Sequence, residues 1–164
     1  MGGKAYFRAF HPTKGQELFR SNGTRKGTRL LRDIAPGGSD SSPFGFTRAG
    51  KRLYFAADND QGTEPWRTDG TRAGTRLLRD INPGPNGSGP GQLTPVGPSV
   101  FFPARRAGEG FELWRTRGNQ TRRVKDIRPG PTSSSPDYLV RVGKRLYFTA
   151  NDGITGQEPW RWKP

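Results

Sequence analysis

The sequence predicts an all-β chain made of repeated four-stranded antiparallel units, and three observations carry that prediction. The stretch Gly62-Thr63-Glu64-Pro65-Trp66-Arg67-Thr68-Asp69-Gly70-Thr71 recurs along the chain, so that its glutamate returns at 17, 64, 112 and 158, in steps of 47, 48 and 46 residues. A fixed period of that size is the mark of a repeat architecture. Short aromatic runs bounded by turn residues accompany each copy, which is a strand signature. Gly (24) and Pro (15) interrupt nearly every window in which a helical period might build over the 164 residues, so no helix is expected.

Each unit reads as four segments. Segment A is clearest at Tyr138 to Val142, with weaker versions at Phe44 to Thr47 and Gln92 to Val96. Segment B is Lys51 to Ala57, echoed at Lys4 to Arg8, Val100 to Pro103 and Lys144 to Thr149. Segment C is Glu64 to Thr68 and its copies. Segment D is Thr75 to Ile81, repeated at Thr28 to Ile34 and Thr121 to Ile127. Between C and D lies Asn22-Gly23-Thr24 or Asp69-Gly70-Thr71, and Asn-Gly or Asp-Gly between strands supplies the positive φ that a tight hairpin needs. In the third unit this turn is two residues shorter, an even number that leaves the side-chain faces unchanged. Between D and the next A runs a Pro-Gly loop, at Pro36-Gly37, Pro83-Gly84 and Pro129-Gly130.

The order of segments is B-C-D, A-B-C-D, A-B-C-D, A-B-C, which makes fourteen strands. Four antiparallel strands at a period of about 40–50 residues is the pattern of a β-propeller blade. The chain is expected to form a single repeat domain, 1–164, with repeats near 4–50, 51–97, 98–143 and a partial one at 144–164. That is about three and a half blades, a half-ring or a fragment of a larger propeller. A half-ring implies self-association to complete a ring.

Composition narrows the function. Net charge is +14, a field that attracts nucleic acid, acidic glycan or anionic lipid. The cations are spread along all repeats, so a solvated basic surface competes with a dedicated polyanion site. There is no cysteine, which removes disulfides and Cys-based zinc sites. Met1-Gly2-Gly3-Lys4 leads into a strand-like run with no apolar signal core, and no stretch approaches the ~20 apolar residues of a membrane span.

Glu17-Leu18-Phe19 with Asn22-Gly23-Thr24, Glu64-Pro65-Trp66 with Asp69-Gly70-Thr71, and Glu112-Leu113-Trp114 resemble the bacterial ELWxxDGT repeat. Glu158-Pro159-Trp160 matches its first half, and Gly27-Thr28 with Asp33-Ile34 and Gly74-Thr75 with Asp80-Ile81 match its downstream part. The third copy departs, with Arg117-Gly118-Asn119 in place of Asp-Gly-Thr. The resemblance implies a propeller-like fold and an extracellular or cell-surface setting, some members being labelled hyalin-like. It implies no catalytic residues.

Structural roles are expected for the repeated positions. Glu17, Glu64, Glu112 and Glu158 are expected to accept backbone N–H groups or to pair with Arg. One carboxylate per blade spreads these groups around a ring, whereas a glycosidase needs two at one site. Asp33, Asp80 and Asp126 are expected to organise the loop that follows them. Phe19, Trp66, Trp114 and Trp160 are expected to form blade-to-blade core, with Arg20, Arg67, Arg115 and Arg161 on the opposite strand face. That alternation disfavours base stacking and hence nucleic acid. Asp58-Asn59-Asp60-Gln61-Gly62 has oxygen ligands, but lacks the flanking helices and the later Glu of an EF-hand, and reads as a B–C turn. His11 is the only histidine, which speaks against a triad or multi-His metal site. No cofactor or metal is expected. The reading is a non-catalytic binding or structural module of a surface or secreted bacterial protein, with glycan or protein as ligand. The alternatives are a polyanion binder acting through its arginines and a glycosidase-like propeller enzyme.

Overall fold

The structure, a computed structural model, describes residues 2–163; Met1 and Pro164, the ends of the predicted domain, lie outside the described residues. Fourteen strands form, and no helix does among the described residues. Blade 1 holds β1 (Ala5–His11), β2 (Gly15–Ser21) and β3 (Arg29–Arg32). Blade 2 holds β4 (Phe44–Ala49), β5 (Arg52–Asp58), β6 (Thr63–Thr68) and β7 (Arg76–Leu77). Blade 3 holds β8 (Thr94–Val96), β9 (Ser99–Arg106), β10 (Gly110–Arg117) and β11 (Gln120–Arg123), and blade 4 holds β12 (Asp137–Val142), β13 (Arg145–Asn151) and β14 (Gln157–Trp162). Within each sheet the strands lie side by side in chain order. The neighbours are all antiparallel. The predicted order B-C-D, A-B-C-D, A-B-C-D, A-B-C is therefore the observed one. The blades are out of phase with repeats counted from strand B, because each strand A joins the B that follows it.

The D strands are shorter than the sequence pattern. Segment D of blade 2 pairs only at Trp66↔Leu77 and Arg67↔Arg76. Pro65 has no N–H to donate toward β7, and its carbonyl takes the last bond, from Leu78 N–H at 2.9 Å; a proline thus ends the ladder early. Beyond it the chain turns off toward blade 3.

Strand alternation builds the core. Side chains on a strand point to opposite faces in turn, so the paired aromatics of strand B go to different interfaces. Phe55 packs with Leu18, Leu31 and Ile34 of blade 1, alongside Trp66. Tyr54, next to it, packs with Leu93, Val100, Phe102 and Trp114 of blade 3. Phe101 and Leu113 of blade 3 meet Leu139, Leu146 and Phe148 of blade 4. Three inter-blade clusters therefore join four blades, and each large buried side chain contributes roughly 1.5–3 kcal/mol. The faces at the two ends of the arc carry no such cluster. Phe7 and Phe19 stack on the outer face of blade 1, centroids 6.3 Å apart. Val140, Val142 and Tyr147 stand exposed on the outer face of blade 4.

Phe55→Ala and Phe102→Ala, at fully buried positions, are expected to cost about 3–5 kcal/mol each. Phe10→Ala, at 68% exposure, should stay within about 0.5 kcal/mol. Urea unfolding followed by circular dichroism checks the contrast.

Candidate functional site

The repeated glutamates are fasteners for the loops that join blades. Glu17 is fully buried. Its carboxylate accepts N–H from Ile34 (2.8 Å) and Ala35 (3.1 Å) and the Ser41 hydroxyl (2.7 Å). Glu64 accepts N–H from Ile81, Asn82 and Ser88, with the Ser88 hydroxyl at 2.7 Å. Glu112 accepts N–H from Ile127 and Ser134. Backbone N–H groups, not arginines, are the partners. Glu158 departs from the pattern: it is exposed, and β14 is followed by no D strand or loop among the described residues to supply donors. The approach is close enough to exclude a side chain at the glycine two positions before each of the three buried glutamates. A Cβ on Gly62 (φ +93°) would lie 2.2 Å from Gly87 N, and one on Gly110 (φ +67°) would lie 2.6 Å from Ser133 N.

Ser41, Ser88 and Ser134 escaped the sequence analysis. The signal was a near-constant offset, 24, 24 and 22 residues after the glutamate, the last reduced by the short turn of blade 3. The aspartates do not organise the loop. Asp33 pairs with Lys14 at 3.0 Å, Asp126 pairs with Arg123 at 3.1 Å, and Asp80 is exposed. Glutamate from strand C has already taken the N–H groups they were expected to meet.

Trp66 and Trp114 are 5% and 2% exposed, within the inter-blade clusters. Trp160 is partly buried against the third cluster and donates its indole N–H to Ala150 O at 3.0 Å. Arg79 lies over the Trp114 ring at 5.7 Å and Lys125 over Trp160 at 5.0 Å, so each of these tryptophans is covered by a cation from the blade before it. Phe19 joins no inter-blade cluster. It lies on the open face of blade 1, against Phe7 and His11. The Asp58–Gly62 stretch is a B–C turn whose Asp58 carboxylate accepts Asp60 N–H at 2.8 Å. His11 ends β1 and accepts Thr13 N–H through Nδ1 at 3.3 Å.

The C–D turns are closed by their own side chains. Asp69 Oδ1 accepts Thr71 N–H (2.9 Å) and the Thr71 hydroxyl (2.7 Å), and Thr71 Oγ1 accepts Gly74 N–H (2.9 Å). Asn22, Thr24 and Gly27 repeat the arrangement in blade 1. The Thr71 bonds hold the Asp69 carboxyl below the usual carboxylate range.

Strand order gives the charge a direction. In an A-B-C-D sheet the A–B and C–D turns share one edge, and the B–C turns and D–A loops share the other. The first edge comprises residues 20–29, 48–52, 67–76, 96–99, 115–122 and 141–145; its cations include Arg20, Lys26, Lys51, Arg72, Arg117 and Lys144, and Asp69 is its only carboxylate. The second edge carries Asp33, Asp40, Asp58, Asp60, Asp80, Glu109, Asp126, Asp137 and Asp152 against Lys14, Arg32, Arg79, Arg105, Arg106, Arg123, Lys125 and Arg128. Cations spread evenly along the chain are thus nearly balanced by carboxylates on one edge of the blades and left almost unbalanced on the other. Two concavities on that edge sit between blades. One, of about 350 Å³, is lined by Lys4, Tyr6, Arg20, Arg48, Lys51 and the Asp69–Thr71 turn. The other, of about 410 Å³, is lined by Arg115, Arg117, Arg141, Lys144 and Trp162.

No protein-family model and no curated protein sequence matches the chain. Among solved structures it is similar to a puromycin hydrolase mutant complexed with PGG, at 18% identity and TM-score 0.61, covering 99% of this chain and 25% of that one. It is also similar to TolB from Acinetobacter baumannii, at 17% identity and TM-score 0.50, covering 96% of this chain and 42% of that one. The chain spans a quarter of the first and under half of the second. At this level of identity the likeness defines the fold: an all-β segment of β-propeller type.

The glutamates give a pH test. Burial raises the carboxyl of Glu64 above its ordinary value, and its hydrogen bonds to Ser88, Ile81 and Asn82 offset only part of that; Glu17 and Glu112 behave alike. A pKa raised on folding adds stability that is complete below the unfolded value and fades as pH rises through the folded one. Glu64→Gln should cost about 1–3 kcal/mol by placing an amide against N–H donors. The gap between wild type and variant should widen as pH falls from neutral toward the ordinary carboxylate range, because only wild type takes up the proton. Urea midpoints at several pH values measure it; a gap that narrows would refute the raised carboxyl.

Proposed function

We propose that this chain is a non-catalytic binding module whose ligand is an acidic glycan, met by the edge that carries the A–B and C–D turns. The observation behind this reading is the sorting of charge: one edge of the blades holds a single carboxylate among its many cations, and the other edge is mixed. Sulfate or carboxylate groups along a polymer match such a surface. Its use of rigid blades with short turns favours positioning of a ligand over closure around one. The non-catalytic reading draws on the glutamates, since each buried one is enclosed in its own loop and committed to backbone donors. The resemblance to the ELWxxDGT repeat, and the surface or secreted setting it implies, belong to the same proposal.

A second copy of the chain is the partner we assign to the two open blade faces. The interface they would form continues the one already made three times. Phe7 and Phe19 stand where Phe55 and Trp66 meet the preceding blade, and Tyr147 stands where Tyr54 meets the following one. Light scattering should give twice the 18.2 kDa chain mass, and Tyr147→Glu should return it to a single chain. A single-chain mass for wild type would reject this partner.

Heparin tests the ligand class. Binding should weaken at least roughly tenfold between 50 mM and 200 mM salt, and neutral dextran should not bind. The double variant Arg48→Glu/Lys51→Glu should lose most of the affinity, and Arg105→Glu/Arg106→Glu, on the opposite edge, should keep it. Equal loss in both would reject a dedicated edge.

A further inference from the structure

Strand C of each of the first three blades carries an arginine in one register: Arg20 opposite Tyr6, Arg67 opposite Tyr54, and Arg115 opposite Phe101. In each strand this arginine follows the residue that faces the preceding blade, so alternation directs it toward the next one. In blade 1 it is satisfied there, because Arg20 donates to the Gly70 carbonyl in the C–D turn of blade 2. The neighbouring contact also repeats: Arg32 donates to Thr75 O of blade 2, and Arg79 to Thr121 O of blade 3.

Arg67 breaks the series. Blade 3 makes its C–D turn with two residues fewer, Arg117 pairing directly with Gln120, and Arg67 makes no bond to the carbonyl of Gly118, which stands at the position of Gly70. Arg67 is 6% exposed. Its Nε is shut off from solvent and has no acceptor, and among the described residues the side chain makes no hydrogen bond or ion pair. Burial above all, and then the like charges of Arg52 and Arg76 beside it, disfavour its protonated form. Asp69, the opposite charge within range, already accepts from Thr71. A guanidinium whose buried Nε has no acceptor and which makes no ion pair is unfavourable by itself, and the fork of a guanidinium matches two oxygens of an oxyanion.

Arg115 takes the corresponding place one interface further on, where it is only partly buried. It makes no hydrogen bond or ion pair among the described residues. It lies over the Trp162 ring at 5.4 Å and lines the cavity of about 410 Å³ that also holds Arg117, Arg141 and Lys144 and no carboxylate.

We propose that Arg67, at the interface of blades 2 and 3, and Arg115, in the groove between blades 3 and 4, are two successive oxyanion seats, each taking one sulfate or carboxylate group of an acidic glycan. This rests on the ligand class proposed above and names where its anionic groups dock. Arg20, already bonded to a carbonyl, is not a seat.

Inorganic sulfate is the probe. Thermal unfolding in sodium sulfate is compared with sodium chloride at matched ionic strength. Sulfate should raise the wild-type midpoint beyond chloride, by an increment that falls in Arg67→Met and in Arg115→Met and vanishes in the double variant. In chloride, Arg67→Met should be as stable as wild type or more so, because it removes an unpaired buried charge. Arg20→Met should be less stable in chloride and keep the sulfate increment, which separates a seat from a packing role. An unchanged increment in the double variant would overturn the proposal. Heparin binding separates the two levels. Heparin bound with the sulfate increment untouched by the double variant removes the seats and leaves the basic edge. A sulfate increment that depends on the two arginines without heparin binding keeps the seats and removes the polymer.

Discussion

The acceptance of loop N–H groups by a buried glutamate is the interaction on which the arc depends. A D strand must leave its sheet, cross to the next blade and begin strand A there, and its backbone donors lose their ladder partners on the way. Buried N–H groups without acceptors are costly. Glu17, Glu64 and Glu112 supply a charged acceptor at the point where each crossing starts, and a serine further on closes the other end of the loop. The glycine two positions earlier is a consequence of that approach, since backbone lies where its Cβ would be. With the crossing fixed, the next blade arrives in a set register, and the aromatic clusters between blades can form.

Two structural rules then act on one surface. Alternation along strands sends successive residues of strand C to successive interfaces, tryptophan backward and arginine forward. Antiparallel order brings the A–B and C–D turns to one edge, and with them sixteen of the 28 cations and a single carboxylate. The arginines that point forward emerge beside those turns, so the composition of the blade interface and the charge of the edge are set by the same repeat. A change in turn length in one blade therefore alters the electrostatics of the blade before it, as Arg20 and Arg67 illustrate.

Much of this was legible in the sequence. The fourteen strands and their order followed from the period, the aromatic runs and the Asn-Gly, Asp-Gly and Pro-Gly turns, because those signals act locally. The role of the glutamates as acceptors of N–H groups was also legible. Their serine partners were hidden in loops rich in Ser and Gly, where composition masks a single fixed offset. The aspartates were misassigned because Asp before a turn ordinarily caps it, whereas here a glutamate from another strand reaches the donors first. Phe19 and Glu158 share the repeat's chemistry without its role, since each role requires a neighbouring element that the described residues do not provide at those positions. The sorting of charge was invisible along the chain. It depends on which turns share an edge, and only the strand order reveals that.

A molecule with sixteen cations and one carboxylate on one edge and mixed charge on the other has an uneven field, most positive at the first edge. Near a negatively charged surface it will arrive turned before it touches, with the basic edge leading. A layer of such chains would therefore be polar in construction. All copies would face the same way, anchored by the C–D turns, and the B–C turns and D–A loops would form a nearly neutral outer skin for whatever approaches next.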